Sequence, residues 1–514
     1  MSKAIRLLPA FMTVGVWTLL SRILGFVRDV MIAAFLGAGP VVDAFVIAFS
    51  LPNLFRRFFA EGAFNMAFVP MFSKKLEQDD DPQGFATDAM SGLASIVLAF
   101  TLIGQIIMPW LVLGLASGFY GDTRFDLAID YGRITFPYIF FISLAALLSG
   151  VLNALGRFAM AAAAPVFLNI ILIGAMLFAA QAEGDIARTL VWSIPFAGLA
   201  QMLLVWVAAS RAGIRLIPRL PRWSPDLKRL AVIAGPAALA GGVVQINLVV
   251  GRQVASATEG AAGLLYYADR LYQLPLGLVG VAIGIVLLPD LSRRLSAGDT
   301  QGSINAVNRA TEFSMALTLP ATAALIAIPL PLVAVLFQRG AFTVEDAAAA
   351  SVAVAIYGAG LPAFVLQKIF SPIYFAREDT RRPFNYAFVS MIMNAVLAFG
   401  LAPAIGFTAA AIGTTVAAWV NLALLWRGAA GIEDGFVPDA RLIRVLPRLV
   451  LASALMGGVV LGASYILGDG LTTPMLRYAA LGLLVVIGAA FYGAAVLGLG
   501  AMKLSELRAG LRRS

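Results

Sequence analysis

The residues that could do chemistry in this chain are arginines and carboxylates set inside strongly apolar segments. Ser21, Arg22, Arg28 and Asp29 fall in the first of these segments. A charged side chain near the bilayer centre costs about 2.5–3.5 kcal/mol on insertion scales, so it persists where it has a partner or faces a watery cavity. Since guanidinium groups bind phosphate and pyrophosphate through paired hydrogen bonds, the segment is expected to line a chamber for a phosphorylated ligand.

The second apolar segment carries a stripe of polar residues. Asn53, Arg57 and Glu61 follow one another at intervals of four, which places them on one face of a helix. Arg57 and Glu61 can pair within that helix. Arg56 lies one step round the helix, and Asp43 begins the same segment. This helix is therefore predicted to supply a second wall of the chamber.

A comparable arginine, Arg270, lies in the second half of the chain next to Asp269. The chamber candidates are the cations Arg22, Arg28, Arg56, Arg57, Arg270 and Lys368 and the carboxylates Asp29, Asp43, Glu61 and Asp269. Cations exceed carboxylates, so a substrate that carries negative charge is expected to balance them. The alternative is a set of salt bridges between helices that serves only the fold.

Composition assigns the chain to the membrane proteins. Of its 514 residues, 61% are hydrophobic and 13% are charged, whereas soluble domains have about 25% charged residues. There is no cysteine and no histidine, so disulfides, thiolate chemistry and histidine-ligated metals are excluded. The net charge of +9 resides in short loops between apolar spans and does not indicate nucleic-acid binding.

Segments of about 20 apolar residues are long enough to cross a bilayer, and the sequence contains fourteen of them. They run over approximately 9–36, 41–72, 86–115, 127–156, 160–180, 188–210, 228–255, 261–290, 303–337, 345–375, 383–403, 405–427, 442–467 and 475–500. Several contain proline and are expected to bend or break.

The basic residues determine the expected orientation. Alternate loops and the two termini together hold twenty-five lysines and arginines, whereas the opposite loops hold only Arg124, Arg188, Arg339 and Arg477. Positively charged loops stay in the cytoplasm. Both termini are therefore predicted to be cytoplasmic in a multi-pass protein.

A faint internal repeat suggests two related halves. Residues 69–76 at the end of the second span resemble residues 288–295 at the end of the eighth. A repeat after six helices relates the halves by an axis along the membrane normal. The expected fold is an all-α polytopic membrane protein of about 14 helices, with two pseudo-symmetric six-helix lobes, 1–222 and 223–436, and two further helices in 437–514.

The polar motifs closely resemble those of the MurJ/MviN lipid II flippases, and the likeness extends over essentially the whole chain. The residues that carry it are Ser21, Arg22, Gly25, Phe26, Arg28, Asp29, Asp43, Ala44, Phe45, Leu51, Pro52, Asn53, Arg56, Arg57, Ala60, Glu61, Gly62, Phe68, Pro70, Arg133, Pro137, Tyr266, Tyr267, Asp269 and Arg270.

This resemblance implies the fold of the multidrug/oligosaccharidyl-lipid/polysaccharide exporters, with a central cationic cavity. It implies that Arg22, Arg28, Arg56 and Arg270 bind the pyrophosphate headgroup, with Asp43, Asn53 and Glu61 as supporting residues. The substrate would be lipid II, an undecaprenyl-pyrophosphoryl disaccharide-pentapeptide, carried by alternating access across the bacterial inner membrane. Proteins of cell-wall synthesis would be further partners.

Other functions remain as alternatives at this point. An exporter of another lipid-linked oligosaccharide would differ mainly in the sugar it accepts, and a multidrug/cation antiporter should have an acid-rich cavity. No nucleotide-binding loop or catalytic acid cluster is apparent, so an enzyme, a cofactor and a metal are not expected. The coupling ion is left open.

Overall fold

The computed structural model of this chain describes residues 7–56, 63–220, 222–243, 245–432 and 436–502. Within these ranges the backbone forms twenty α-helices and a short 3-10 helix, Ser117–Phe119, and no β-strand. Ten helical stretches in the same ranges are long and apolar enough to cross a membrane. The all-α membrane fold expected from the sequence is confirmed.

The chain divides into two compact units, Met1–Gly263 and Leu264–Ser514. The helices of the first unit are α1 (Leu7–Leu36), α2 (Pro40–Arg56), α3 (Ala63–Gln78), α4 (Pro82–Ile106), α5 (Met108–Leu115), α6 (Thr123–Thr135), α7 (Tyr138–Ala154), α8 (Phe158–Gln181), α9 (Ile186–Arg211), α10 (Pro225–Val243) and α11 (Ile246–Ser256).

Helix α12 (Ala261–Ser296) begins at the end of the first unit and continues into the second. The second unit then contains α13 (Thr300–Ala327), α14 (Pro329–Phe337), α15 (Val344–Phe375), α16 (Arg381–Ile405), α17 (Thr408–Ala430), α18 (Ala440–Ile466), α19 (Gly468–Thr472) and α20 (Arg477–Gly498). The lobe boundaries expected from the sequence stay a prediction.

Three of the expected spans, 86–115, 127–156 and 303–337, each consist of two helices separated by a break. Pro137 lies at the break between α6 and α7, and it has no N–H for the carbonyl of Arg133. The side chain of Gln105 donates to that carbonyl instead, at 2.8 Å. Membrane helices tolerate proline where a neighbour satisfies the freed carbonyl in this way.

Helix α16 shows how the chain meets lipid. Its buried positions include the polar Ser390 and Asn394, while a row of large apolar side chains is exposed: Phe384, Phe388, Ile392, Val396 and Phe399. The Ser390 hydroxyl donates to the carbonyl of Ala417 on α17, at 2.6 Å. Polar contacts inside and apolar side chains outside are typical of helices packed within a bilayer.

In the first unit, α1 packs on α8, α8 and α7 pack on α9, and α2 packs on α6. Aromatic rings fill the space between α2, α4 and α7, where Phe55 and Phe100 meet Phe136 at the break before α7. Through these contacts α1 and α2, which carry most of the candidate site residues, are held against the rest of the unit.

In the second unit, a network of charges fastens α18 to α13. Glu312 on α13 is 3% exposed and accepts hydrogen bonds from Arg309 and from Arg441, whose Nη2 lies 2.8 Å from Oε1. Arg309 also pairs with Asp439. Asp439 accepts the N–H of Leu442 and so caps the first turn of α18. The packing of α18 on α13 thereby depends on one buried carboxylate.

We expect Glu312→Gln to lower the free energy of unfolding by about 3 kcal/mol, because removing one partner of a buried ion pair leaves its cations uncompensated. Thermal or denaturant unfolding of the purified protein in detergent measures this change. Asp80→Asn is the matched control, since Asp80 pairs with Lys75 but its side chain is 66% exposed. Exposed pairs contribute about 0–1 kcal/mol. An equal effect of the two substitutions would contradict the prediction.

Candidate functional site

The charged turn of α1 is partly enclosed by its own unit. Arg28 is 7% exposed and Asp29 is 2% exposed. The Arg28 guanidinium donates to Asp29 Oδ1 from Nε at 3.0 Å and from Nη2 at 2.7 Å. A third bond runs from Nη1 to Asn169 Oδ1 at 2.9 Å. Arg28 is therefore held in one orientation by two side chains.

Asn169 links α8 to the charged turn. Besides accepting from Arg28, its Nδ2 donates to the backbone carbonyl of Ser21 at 3.0 Å, and the residue is 5% exposed. Sequence reasoning missed this residue because it lies 141 positions from Arg28. The sequence did contain one indication of its importance. Asn169 is a polar amide within the apolar run of α8, and polar residues inside membrane helices usually have a functional or structural role.

Arg22 and Ser21 lie one to two turns before the buried pair. Arg22 is exposed and Ser21 is half-buried. Among the described residues, Arg22 forms no ion pair or hydrogen bond, in contrast to Arg28. The spacing of seven does align Arg22 with Asp29 on α1, but Arg22 is exposed whereas Asp29 is buried. An exposed guanidinium on this helix is available to a ligand.

Asp43 is completely buried near the start of α2. Its Oδ2 accepts the N–H of Gly260 at 2.7 Å and a bond from Arg124 Nη1 at 3.3 Å, and its Oδ1 accepts the N–H of Gly263 at 2.9 Å. Gly260 has a φ of +78°, and a Cβ there would lie 2.6 Å from the Ala38 carbonyl oxygen. The carboxylate thus joins α2, α6 and the turn before α12.

Arg124, the partner of Asp43, is itself fixed at the beginning of α6. Its Nε donates to Asp122 at 2.7 Å, and its guanidinium lies 4.5 Å from the centre of the Phe119 ring. The backbone N–H and the guanidinium of Arg124 lower the pKa of the Asp122 carboxyl group. Arg124 was not among the predicted site residues, so Asp43 is neutralised by a cation outside the predicted set.

The described part of α2 includes Asn53 and Arg56, both half-buried. Asn53 Nδ2 donates to the carbonyl of Phe49 on the same helix, at 2.8 Å, and Arg56 is the last described residue of α2. Arg57 and Glu61 lie outside the described residues. The predicted pairing of those two side chains therefore stays a prediction.

In the second unit, Arg270 is half-buried on α12 and its guanidinium lies over the ring of Tyr266, 4.5 Å from the ring centre. The neighbouring Asp269 accepts a hydrogen bond from Gln273. Lys368 on α15 is exposed. A cation over an aromatic ring gains electrostatic stabilisation without losing its charge.

These contacts change the charge balance inferred from the sequence. Of the four candidate carboxylates, Asp29 is bound by Arg28 and Asp43 by Arg124. Neither pairs with Arg22. No group of three or more metal-ligating side chains occurs among the described residues. The arrangement is suited to binding an anion through guanidinium groups, with Asp29 and Asp43 holding the helices that carry them.

Comparison with known proteins bears on this arrangement. A family model described as lipid II flippase MurJ matches residues 32–480. A probable lipid II flippase MurJ of Rhizobium meliloti (strain 1021) is 44% identical, covering 99% of this chain and 96% of the relative. A lipid II flippase MurJ of Burkholderia cenocepacia is 35% identical over 88% of this chain and 89% of its own length.

Solved structures show the same fold. A lipid II flippase MurJ in an inward closed conformation matches with a TM-score of 0.79 and 24% identity, covering 95% of this chain and 99% of that chain. An inward-facing multidrug resistance transporter of the MATE family matches with a TM-score of 0.64 and 14% identity, over 79% and 92% of the two chains.

We expect Asn169→Ala to lower the free energy of unfolding by about 1–2 kcal/mol, because it removes an acceptor from the buried Arg28 and a donor from the Ser21 carbonyl. Asn305→Ala is the matched control, as Asn305 is exposed on α13 and exposed substitutions usually change stability by less than about 0.5 kcal/mol. The change is measured by unfolding the purified proteins in detergent. Equal stabilities of the Asn169→Ala and Asn305→Ala variants would contradict the role assigned to Asn169.

We expect Asp43→Asn to lower the free energy of unfolding by about 3 kcal/mol, because an amide nitrogen would face N–H donors that the carboxylate now accepts. Asp130→Asn, at an exposed position of α6, serves as the control. If Asp43→Asn left unfolding unchanged but abolished ligand binding, Asp43 would be a ligand-contacting residue rather than a joint between helices.

Proposed function

Because the chain belongs to the MurJ family of lipid II flippases, we propose that it moves lipid II from the cytoplasmic to the periplasmic leaflet of the bacterial inner membrane. It does so as a multi-pass protein with both termini in the cytoplasm, and it breaks no covalent bond. Lipid II consists of an undecaprenyl chain, a pyrophosphate and a disaccharide-pentapeptide. The protein must therefore pass a large, charged headgroup through an apolar barrier.

The headgroup binds in an arginine-rich cavity. Arg22 supports this assignment best, since it is exposed on α1 close to the buried pair of Arg28 and Asp29. Guanidinium groups match the oxygens of a pyrophosphate in geometry and charge. Arg22 and Arg56 contact the pyrophosphate, with Ser21, Asn53 and the Arg57 and Glu61 stripe supporting the same cavity. Arg270 stays a predicted contact of the headgroup, as the resemblance to the family implies.

Arg28, Asp29 and Asp43 have a different part in this proposal. Arg28 is bound on two sides, and Asp43 accepts three N–H donors. Each is more useful as a fixed charge that orients a helix than as a mobile ligand contact. Preorganised charges require little rearrangement when the substrate arrives, so the ordering cost of binding is reduced.

Transport follows alternating access, in which the cavity opens first to the cytoplasmic face and then to the periplasmic face. The polyprenyl chain stays in lipid throughout. A pyrophosphate diester with about two negative charges gains roughly 4.6 kcal/mol per 100 mV when it moves outward across an inside-negative membrane. The membrane potential is therefore large enough to drive net export without a second transported ion.

An antiporter of drugs or cations is the nearest rival within the same fold. Its cavity would need carboxylates to attract a cation, whereas Asp29 and Asp43 are already bound by Arg28 and Arg124. An exporter of another lipid-linked oligosaccharide has the same requirement for arginines as a lipid II flippase. The family relationship favours lipid II over that second rival.

We expect Arg22→Ala and Arg270→Ala each to weaken lipid II binding about tenfold or more, because each removes a charge-assisted contact of about 1.5–3 kcal/mol. Binding is measured on the purified full-length chain in detergent. In a strain depleted of its own flippase, both variants should fail to prevent lysis while the wild-type chain succeeds.

Arg188→Ala is the matched control. Arg188 is an exposed arginine near the start of α9, on the side of the membrane predicted to lie opposite the cytoplasm. The variant should bind lipid II and rescue growth like the wild type. Membrane insertion and the unfolding midpoint of every variant are measured in parallel. Rescue by both Arg22→Ala and Arg270→Ala, with lipid II binding intact, would contradict the proposed headgroup site.

A further inference from the structure

Two arginines of the second unit lie against the same aromatic ring. Arg339 follows the last turn of α14, and Arg477 is the first residue of α20. Both guanidinium groups lie against the ring of Tyr478, at 5.7 Å and 5.1 Å from its centre. Among the described residues no carboxylate lies within ion-pair distance of either arginine, whereas Lys75, Arg294 and Arg441 each pair with one.

Backbone carbonyls take up part of the donor capacity of this pair. Arg339 Nη2 donates to the carbonyl of Val335 at 3.1 Å, and Arg477 Nη1 donates to the carbonyl of Gln338 at 2.9 Å. These bonds cap the C-terminal turn of α14, where positive charge is favourable. The Nε atoms of both arginines are buried and meet no acceptor in the described part of the chain. Carbonyl groups do not neutralise the two charges.

The two guanidinium groups share one aromatic ring and, as like charges, repel each other. Burial lowers the pKa of Arg339, whereas Tyr478 beside it raises that pKa and the neighbouring Arg477 lowers it. The beginning of α20 adds the positive end of a helix dipole to the same place. Two cations at a helix N-terminus without a carboxylate are stabilised by a bound anion.

The surroundings indicate which kind of anion can reach this place. Tyr465, Ile466, Met475, Leu476 and Tyr478 are all exposed, with Ile466 at 87% and Met475 at 90%. Tyrosines beside large apolar side chains are enriched where a protein meets the headgroup layer of a membrane. An anion here would therefore be carried on a lipid, with its apolar part among these side chains.

We propose that Arg339 and Arg477 form a binding site for the phosphate of a membrane lipid headgroup, on the membrane surface opposite the predicted cytoplasmic termini. The site lies wholly in the second unit and does not use Arg270. It holds the ends of α14 and α20 at the headgroup layer. The proposal does not depend on the transport function, because any anionic glycerophospholipid of that leaflet carries the required phosphate.

The test uses the full-length chain in nanodiscs with a phosphatidylglycerol that bears a photoreactive group in its headgroup. Crosslinks should concentrate in residues 338–343 and 475–478. Their yield should exceed by about tenfold the yield from a photoreactive diacylglycerol that lacks phosphate, as expected for charge-assisted contacts. The double substitution Arg339→Gln with Arg477→Gln should lower the phosphatidylglycerol yield by about tenfold.

Two variants separate the charge from the helix cap. Arg188→Gln, which removes an exposed arginine predicted on the same surface, should leave the yield unchanged. Replacing both arginines by lysine keeps both charges but loses the planar fork, and it should retain more crosslinking than the glutamine pair. Equal losses in the lysine and glutamine pairs would assign the effect to the cap of α14 and overturn the proposal.

Competition with inorganic phosphate shows whether the site binds the phosphate of a lipid or free phosphate. At equal concentration it should displace the photoreactive lipid poorly, because it lacks the apolar part that the exposed side chains favour. Full displacement would identify a site for free phosphate and overturn the lipid assignment. Unchanged crosslinking in the glutamine pair would also overturn the proposal.

Discussion

A charge inside a membrane-spanning helix requires partners, and the rest of this structure depends on how that requirement is met. Arg28 on α1 is bound by its neighbour Asp29 and by Asn169 of α8. A neighbour in sequence alone leaves donors of a guanidinium group without acceptors, and in a low-dielectric interior such donors are costly. The amide of Asn169 supplies the missing acceptor, so the charge of α1 also fixes the packing of α1 on α8.

The same constraint recurs in each of the two units. Asp43 gathers Arg124 and two backbone N–H groups, and Glu312 gathers Arg309 and Arg441. In each case one buried carboxylate joins helices that are distant in sequence. Aromatic and aliphatic packing cannot specify such joints alone, because lipid competes equally well for apolar surfaces. Buried charges therefore make the helix arrangement specific.

The sequence predicted the helical spans well and the partners of its charges poorly. Spans follow from the length and apolarity of local segments, and the charged turn of α1 is local too. The roles of Asn169 and Arg124 depend on which helices pack together, and no local pattern contains that information. The sequence therefore placed Asp43 in the same chamber as Arg22, although the Asp43 carboxylate forms an ion pair with Arg124. The breaks at Pro137 and before Pro329 were foreseeable in kind, because proline removes a helix donor.

The arginines discussed above fall into two groups, according to whether a carboxylate or an amide binds the guanidinium group. Where an acid or an amide completes the bonds, as for Arg28 and Arg441, the charge is already satisfied and a ligand would have to compete with the fold. Where the described surroundings provide only carbonyls or an aromatic ring, as for Arg339 and Arg477, the positive charge persists. Two adjacent cations repel each other, and a bound anion offsets that repulsion. The absence of a nearby acid is thus a better guide to anion binding than the number of arginines.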